Sequence, residues 1–426
     1  MSGGPDAFAI AGRIAHPWPT VPRRATLCAL RDPRDGRLLD RALVTTFAGP
    51  ASYTGEDVVE LATHGGRAVP ASVLAALVAA GAEPASPGEF TRRAVLHGRL
   101  DLVQAEAVGD LVDAGSGAMQ GAALAQLDGG LSRRVAALRE ALLDVEALLA
   151  YDIDFPEEDA GPLARGRVTD AARRVHDQLA ALLATAPAGA VVRDGAVVVI
   201  AGAPNAGKSS LFNALLGEPR AIVTDVAGTT RDAVDAMLDA RPWPLRLVDT
   251  AGLRATADVV ERLGIEVSER WLARAAVVLA CGETPADVAA TATRVRALTP
   301  APVLEVWTKR DGEGQRPSGR RLLEVSAETG RGLPALVDGV QQALGARLSA
   351  PPADVPLVTR ARHQRALAEA RDEVAAFVAA WEADALPAPV AAVHVHAAVG
   401  ALDDLIGAVD VEEILGRVFA SFCVGK

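Results

Sequence analysis

The spacing of apolar positions changes character several times along the chain. Residues 1 to 98 carry short strand-like runs, Arg41 to Phe47 and Val58 to Ala62 among them, together with one helical stretch, Pro70 to Ala80. That mixture predicts a small α/β domain. From Leu100 to about Thr185 apolar residues recur at helical spacing in Ala-, Leu- and Val-rich segments, including Leu131 to Tyr151 and Gly166 to Ala184. Pro187-Ala188-Gly189 is expected to break the pattern. Between roughly 193 and 348 strands and helices alternate, as an open, mainly parallel α/β sheet requires. Pro351-Pro352 marks the exit, and helical period returns in Leu357 to Trp381 and from Ala391 to the C-terminus. The expected fold class is therefore α/β plus all-α: a small N-terminal α/β domain (1–98) and a helical domain in two pieces (99–192 and 349–426). An α/β domain (193–348) is inserted where the chain ends of the helical domain lie close together.

The inserted segment opens with chemistry. The apolar run Ala196 to Ala201 leads into Gly202-Ala203-Pro204-Asn205-Ala206-Gly207-Lys208-Ser209, and the helix-like Ser210 to Leu216 follows. Strand, glycine loop and helix together turn backbone N–H groups onto a phosphate at a helix N-terminus. Only three of the 43 basic residues are lysines, Lys208, Lys309 and Lys426, so a lysine inside this loop stands out against an arginine background. As a compact point charge Lys208 suits the β- and γ-phosphates, and the Ser209 hydroxyl suits Mg²⁺.

Two switch-like segments and a base-reading segment follow in order. Gly228-Thr229-Thr230-Arg231-Asp232 is polar enough to wrap a γ-phosphate, with Thr229 or Thr230 offering a second hydroxyl to Mg²⁺. Leu245 to Val248 then ends in Asp249-Thr250-Ala251-Gly252, delivering a carboxylate to the metal shell and a glycine N–H to the phosphate. After the strand-like Val303 to Trp307 comes Thr308-Lys309-Arg310-Asp311. A carboxylate at Asp311 accepts guanine N1–H and N2–H₂, which adenine lacks, so the nucleotide is expected to be GTP. Thr308 stands where such segments usually have Asn, and Ser326-Ala327-Glu328 occupies the place of a loop backing the base. Leu253 follows Gly252, so the glutamine that orients water in many small GTPases is absent. Glu261 reads from the residues alone either as an exposed carboxylate at a helix start or as the group that takes over that task.

Three further signatures flank this domain: Ser52-Tyr53-Thr54-Gly55-Glu56-Asp57 with His64-Gly65-Gly66; Pro87-Gly88-Glu89-Phe90-Thr91 running to Leu100-Asp101-Leu102; and the terminal Phe422-Cys423-Val424-Gly425-Lys426. With Asp152 to Glu158 and the inserted GTPase, they make nearly the whole chain resemble the MnmE (TrmE) family, GTPases that modify the wobble uridine of tRNA. The resemblance implies nucleotide contacts at Asn205, Ala206, Gly207, Lys208, Ser209 and Ser210, at Thr224, Asp225, Val226, Ala227, Gly228, Thr229 and Thr230, at Asp249, Thr250, Ala251 and Gly252, and at Thr308, Lys309, Asp311, Ser326 and Ala327. It assigns Mg²⁺ to Ser209 and Thr230. It places a K⁺ ion on Asn205, Thr224, Val226 and Thr229, in the electrostatic role of an arginine finger. Glu261, twelve residues after Asp249, becomes the water-orienting catalytic residue.

The same resemblance implies that two GTPase domains face each other as hydrolysis proceeds, making the protein a homodimer. It implies an FAD-containing, NADH-binding partner, MnmG, in a heterotetramer, and a 5-formyl- or methylene-tetrahydrofolate bound in the N-terminal, dimerising domain. Glu60, Arg99 (where the family has Lys) and Lys426 match the folate ligands. The chain starts at Met1-Ser2-Gly3-Gly4, just after the strand and Arg with which family members begin, so the expectation is either a start that lies further upstream or a member without the first strand whose folate binding is impaired. Two other readings compete: a GTPase of RNA or ribosome assembly without modification chemistry, and a folate-deficient switch scaffold.

Composition bounds the rest. Formal net charge is −11, with arginines dispersed among more numerous acids, so contact with tRNA is expected to be shared with the partner. No uninterrupted apolar run reaches the ~18–20 residues of a membrane span, and the N-terminus has no secretory pattern, which points to a cytoplasmic chain without a membrane partner. Cys28, Cys281 and Cys423 are too widely spaced for a disulfide framework or zinc site. Cys423 reads equally as a redox or nucleophilic thiol and as a packed one. His394-Val395-His396 lacks the neighbouring ligands of a metal site.

Overall fold

A computed structural model of the chain describes residues 2–154, 165–217, 221–222, 234–249, 270–311, 322–348, 355–383 and 387–407. The chain divides into two compact units, residues 1–109 with 403–426, and residues 110–402.

In the first unit a five-stranded antiparallel sheet has the order β1-β5-β4-β3-β2. The strands are β1 (Ser2–Gly3), β2 (Ala15–His16), β3 (Thr26–Arg31), β4 (Leu38–Phe47) and β5 (Val58–Ala62). Alternation decides which face is covered. Cys28 and Leu30 of β3 and Ala42 and Val44 of β4 are buried against Ala11 of α1 (Ala7–Gly12) and Val73, Ala76 and Leu77 of α2 (Ala68–Ala79). Leu27 and Leu43 point the other way and stay exposed, facing one another across the β3–β4 register. The edge expected to lack its strand carries the two-residue β1, with Ser2 opposite Val59 and Gly3 opposite Val58. The loop before β5 is pinned to α3 (Glu89–Leu96): the Tyr53 and Thr91 hydroxyls are 2.9 Å apart, and Arg93 bridges Glu56 and Glu89 at 3.2 and 2.6 Å. Helix α4 (Leu102–Val112) follows.

The second unit holds helices α5 (Gly117–Leu127), α6 (Gly130–Asp154), α7 (Arg165–Leu183) and α8 (Ala186–Asp194) before its sheet, and α12 (Ala361–Glu382) and α13 (Ala388–Ile406) after it. Along α7 the buried positions Val168, Ala172, Val175, Leu179 and Leu182 recur every three or four residues and pack against α6 and α12. By length and composition alone, Gly166–Asp194 and Ala388–Ile406 are apolar enough to cross a bilayer, each with mean hydropathy 1.2. The first is interrupted by a turn at Ala184–Thr185. That turn corrects one expectation: Pro187 does not break a helix but sits in the first turn of α8, where its missing N–H costs nothing.

Between α8 and α12 lies a seven-stranded sheet of order β12-β11-β10-β6-β9-β8-β7. Its strands are β6 (Ala196–Gly202), β7 (Ala221–Ile222), β8 (Val234–Leu238), β9 (Leu245–Asp249), β10 (Val277–Gly282), β11 (Val303–Trp307) and β12 (Leu323–Glu324). The five from β12 to β9 are parallel, while at the edge β8 pairs antiparallel with β9 and β7 antiparallel with β8. The central strands are apolar on both faces because both are covered. Val198, Ile200 and Leu279 meet α9 (Lys208–Leu216) and α11 (Leu333–Gly345), whereas Val199, Val248 and Val278 meet Val295 of α10 (Pro285–Arg296).

The returning chain enters beside the point where it left. Helix α12 begins at Ala361, four residues later than the expected Leu357, because 357–360 run past α8 instead. Val358 N–H donates to the Thr185 hydroxyl at 3.0 Å, Gln126 Nε2 donates to Leu357 O at 3.2 Å and to the Thr359 hydroxyl at 2.8 Å, and a Cβ on Gly189 would run into the Val358 carbonyl. Asp110, the first residue of the second unit, takes Arg360 in a two-pronged ion pair (2.7 and 3.1 Å) and Arg193 at 3.3 Å, tying departure and return to one carboxylate.

Candidate functional site

Loop Ala203–Gly207 joins the C-terminal end of β6 to the N-terminus of α9, the place in an open α/β sheet where ligands bind. Two residues of the loop adopt positive φ, Asn205 at 64° and Gly207 at 76°, which turns the backbone back on itself before the helix starts. Lys208, 6% exposed, folds its ammonium inward to donate to Ala203 O at 2.7 Å. The adjacent Ser209 hydroxyl donates to Asp249 Oδ2 at 2.7 Å, and that carboxylate, at the end of β9, is 4% exposed. Parallel pairing of β6 with β9, Ile200 opposite Asp249, sets this meeting. A hydroxyl and a carboxylate side by side at a helix N-terminus are hard oxygen donors, which suits Mg²⁺ completed by phosphate oxygens.

A cavity of about 230 Å³ adjoins the loop, lined by Gly207, Ser210, Thr308, Lys309, Asp311 and Ala327 among others. Asp311 is held at its rim by Ser326, whose fully buried hydroxyl donates to Oδ1 at 2.5 Å and itself accepts Thr329 N–H at 3.0 Å. Thr308 closes the floor. Its buried hydroxyl lies 2.9 Å from Ala206 O in the loop and 3.0 Å from Gly282 O at the end of β10. One proton serves two carbonyls there, where an Asn amide has two N–H groups to offer. Lys309 adopts φ 58°, and its ammonium is paired with Glu283. Beneath the loop, Cys281 is fully buried, and burial, with a smaller push from Asp249, drives its thiol up to about 12 against the lowering effect of Lys208. It is a packing residue, not a nucleophile.

Of the sequence's candidates, Asn205, Ala206, Gly207, Lys208, Ser209, Ser210, Asp249, Thr308, Lys309, Asp311, Ser326 and Ala327 come together around one loop and its cavity. The sequence did not single out Glu283 or the Trp307 indole, which donates from Nε1 to Glu283 O at 2.8 Å. The signal was present in Thr284-Pro285-Ala286-Asp287, a helix start that fixes the residue before it. Thr224, Asp225, Val226, Ala227, Gly228, Thr229, Thr230, Thr250, Ala251, Gly252, Glu261, Cys423 and Lys426 lie outside the described residues. Of the expected folate ligands, Glu60 is an exposed residue of β5 opposite Thr45, and Arg99 runs its stem past Gly55. A further cavity of about 240 Å³, lined by Asp113, Gln126 and Met237 among others, contains none of the expected site residues. No cluster of three or more metal-ligating side chains occurs among the described residues, His394 and His396 included; these pair instead with Glu373 (2.6 Å) and Glu146 (3.5 Å).

Comparison with known proteins decides the family. The MnmE helical domain matches residues 102–423, and the GTP-binding protein TrmE N-terminus matches residues 2–99. The chain belongs to the MnmE (TrmE) family. The tRNA modification GTPase MnmE of Acidiphilium cryptum is 42% identical over 99% of this chain and 94% of its own length. That of Methylobacterium radiotolerans is 44% identical over the same shares, and that of Aquifex aeolicus 38% identical over 95% and 91%. Among solved structures, a single-residue variant of Aquifex aeolicus Era bound to GDP.AlF4- aligns with 42% of this chain and 66% of its own at 27% identity and TM-score 0.28, and adds nothing to the sequence matches. Within the MnmE family, then, the loop and cavity lie in the part of the chain that the helical-domain match spans.

Proposed function

We propose that this chain is a K⁺-dependent, dimerisation-activated GTP hydrolase. With an FAD-containing, NADH-binding partner, it forms the 5-carboxymethylaminomethyl or aminomethyl group on the wobble uridine of certain tRNAs, using a folate one-carbon unit. The carrying observation is a phosphate-type loop in which Lys208 turns inward and Ser209 meets Asp249, next to a cavity lined by Gly207 of that loop and by Asp311, which Ser326 braces.

In this reading Lys208 neutralises β- and γ-phosphate charge, and the loop backbone at the α9 N-terminus accepts the phosphates. Ser209, Asp249 and Thr230 would hold Mg²⁺, which would supply neutralisation of phosphate charge. Asp311 reads guanine N1–H and N2–H₂, with Ser326 fixing the carboxylate and Thr308 tying the base segment to the phosphate loop. Asn205, Thr224, Val226 and Thr229 hold K⁺, and Glu261 orients the attacking water. Glu60, Arg99 and Lys426 contact the folate. Support for a homodimer comes from the exposed Leu27–Leu43 pair on the open face of the N-terminal sheet, an apolar surface of the kind a second copy covers. The net charge of −11, with arginines dispersed among more numerous acids, supports sharing tRNA contact with the partner.

The test has two arms. GTP hydrolysis is measured in KCl and in NaCl, and wobble-uridine products are quantified after incubation with the FAD-containing partner, folate and tRNA. Hydrolysis without any modified nucleoside would leave a GTPase switch and remove the modification role.

A further inference from the structure

The geometry points to Glu283 as a positioning residue for base recognition, one that holds Lys309 as a wall of the cavity. This inference rests on reading that cavity as a guanine site and adds to it a residue outside every nucleotide-contact segment of the chain.

Glu283 follows the last residue of β10 and precedes the N-cap of α10, and its backbone is fixed from both sides. Downstream, Thr284 and Asp287 form a reciprocal cap: Asp287 N–H donates to the Thr284 hydroxyl and Thr284 N–H to the Asp287 carboxylate, each at 3.2 Å. Across the sheet, Trp307 Nε1 donates to Glu283 O at 2.8 Å, while Thr308 N–H donates to Gly282 O at 3.0 Å. The indole is steadied in turn by the Arg310 guanidinium, 4.0 Å from its ring centroid. These constraints aim the Glu283 carboxylate at the Lys309 ammonium.

Lys309 has good reason to need an anchor. It sits in the left-handed region, a conformation few side chains choose, and its stem passes Gly207 while lining the cavity. A lysine free to swing would follow water with its charged end. With the ammonium held by Glu283, the methylenes stay stretched along the cavity as an apolar surface against which a planar base stacks. Both charged groups are about half exposed, so the pair adds little to folding stability, and its consequence is preorganisation of the pocket.

The experiment uses the full-length chain and fluorescent mant-GDP. Glu283→Ala is expected to weaken binding by about two- to fivefold, the size of one exposed ion pair, with kcat at saturating GTP unchanged. Glu283→Gln, which keeps an acceptor for the ammonium, should fall between it and the unaltered protein. In a Lys309→Met background the effect of Glu283→Ala should vanish, since the partner is gone. Unaltered affinity in Glu283→Ala, or an equal loss with and without Lys309, would overturn the inference. So would a fall in kcat and thermal stability alongside affinity, which marks a purely structural role. Asp311→Asn, measured in parallel with GDP and XDP, isolates the underlying reading: if it leaves the guanine preference intact, the cavity is not the base site, whatever Glu283 does.

Discussion

The Ser209 hydroxyl and the Asp249 carboxylate stand 2.7 Å apart, joining the start of α9 to the end of β9 across two adjacent parallel strands. Each is a Mg²⁺ donor in the proposed mechanism, and each is held by the other. Asp249→Asn should therefore raise the Mg²⁺ concentration needed for half-maximal GTP hydrolysis by about tenfold or more, the size of one lost charged ligand or its immediate support. Binding of GDP without Mg²⁺ should change little. A Mg²⁺ titration of hydrolysis checks this, and an unshifted midpoint would remove Asp249 from the metal shell.

Thr308 offers one hydroxyl proton to two carbonyls, Ala206 O in the phosphate loop and Gly282 O at the end of β10. Thr308→Asn supplies two N–H groups and is expected to tighten GDP binding by about 0.5–1.5 kcal/mol, one net hydrogen bond. Thr308→Val keeps the shape, loses the donor and should weaken binding by a similar amount. Calorimetric titration with GDP reads both changes. Equal affinities across all three chains would show that the tie between loop and base segment has no bearing on the nucleotide.

Gly189 is required by a close approach, since a Cβ there would meet the Val358 carbonyl where the returning chain crosses α8. Gly189→Ala should destabilise the second unit by about 1–3 kcal/mol, the usual cost of forcing packed backbone apart. Chemical denaturation measures the loss. A neutral or stabilising change would mean that the crossing is slack and that the paired connections do not fix the inserted sheet.

The parts of this fold most legible in the sequence are those where a single residue type has one physical use. Central strands such as Ala196–Gly202 and Val277–Gly282 are apolar on both faces because both faces are covered, and the loop Gly202–Ser209 is spelled by residues that few other structures need together. Pro187 misled because proline both ends helices and begins them, and only the Ala184–Thr185 turn reveals which. Leu357 to Arg360 kept a helical look although their backbone groups bond instead to Gln126 of α5 and to Thr185 just before α8, contacts that no local pattern encodes. Glu283 escaped notice for the opposite reason: an exposed glutamate gains meaning only once β10 and β11 are adjacent.

Cys281 lies beneath the phosphate loop, and burial pushes its thiol up to about 12; Cys28 is also buried and shifted upward by desolvation. The thiolate is the reactive form, so at pH 8 neither residue should be alkylated by iodoacetamide while the chain is folded. Peptide mass spectrometry after timed labelling checks this, with denatured protein as the fully labelled control. Labelling of Cys281 at a rate independent of unfolding would show that the loop opens far enough to expose the strand below it.

Asn205 is both a proposed K⁺ ligand and a residue of left-handed backbone, with φ 64°, and the two roles need different substitutions to separate them. Asn205→Ala removes the side-chain oxygen but also forces an unsuited residue into that conformation, at a cost of about 1–2 kcal/mol. Glycine accepts the same φ freely, so Asn205→Gly deletes the ligand while leaving the loop shape intact. The proposed mechanism predicts that hydrolysis by the unaltered chain is much faster in KCl than in NaCl, and that Asn205→Gly lowers the KCl rate to the NaCl level without loosening GDP. Glu261→Ala should abolish turnover in both salts with GTP still bound, because its task is the water and not the phosphates. Equal rates in the two salts for the unaltered chain would remove potassium from the mechanism. A salt response that survives Asn205→Gly would instead move the ion to ligands other than this loop.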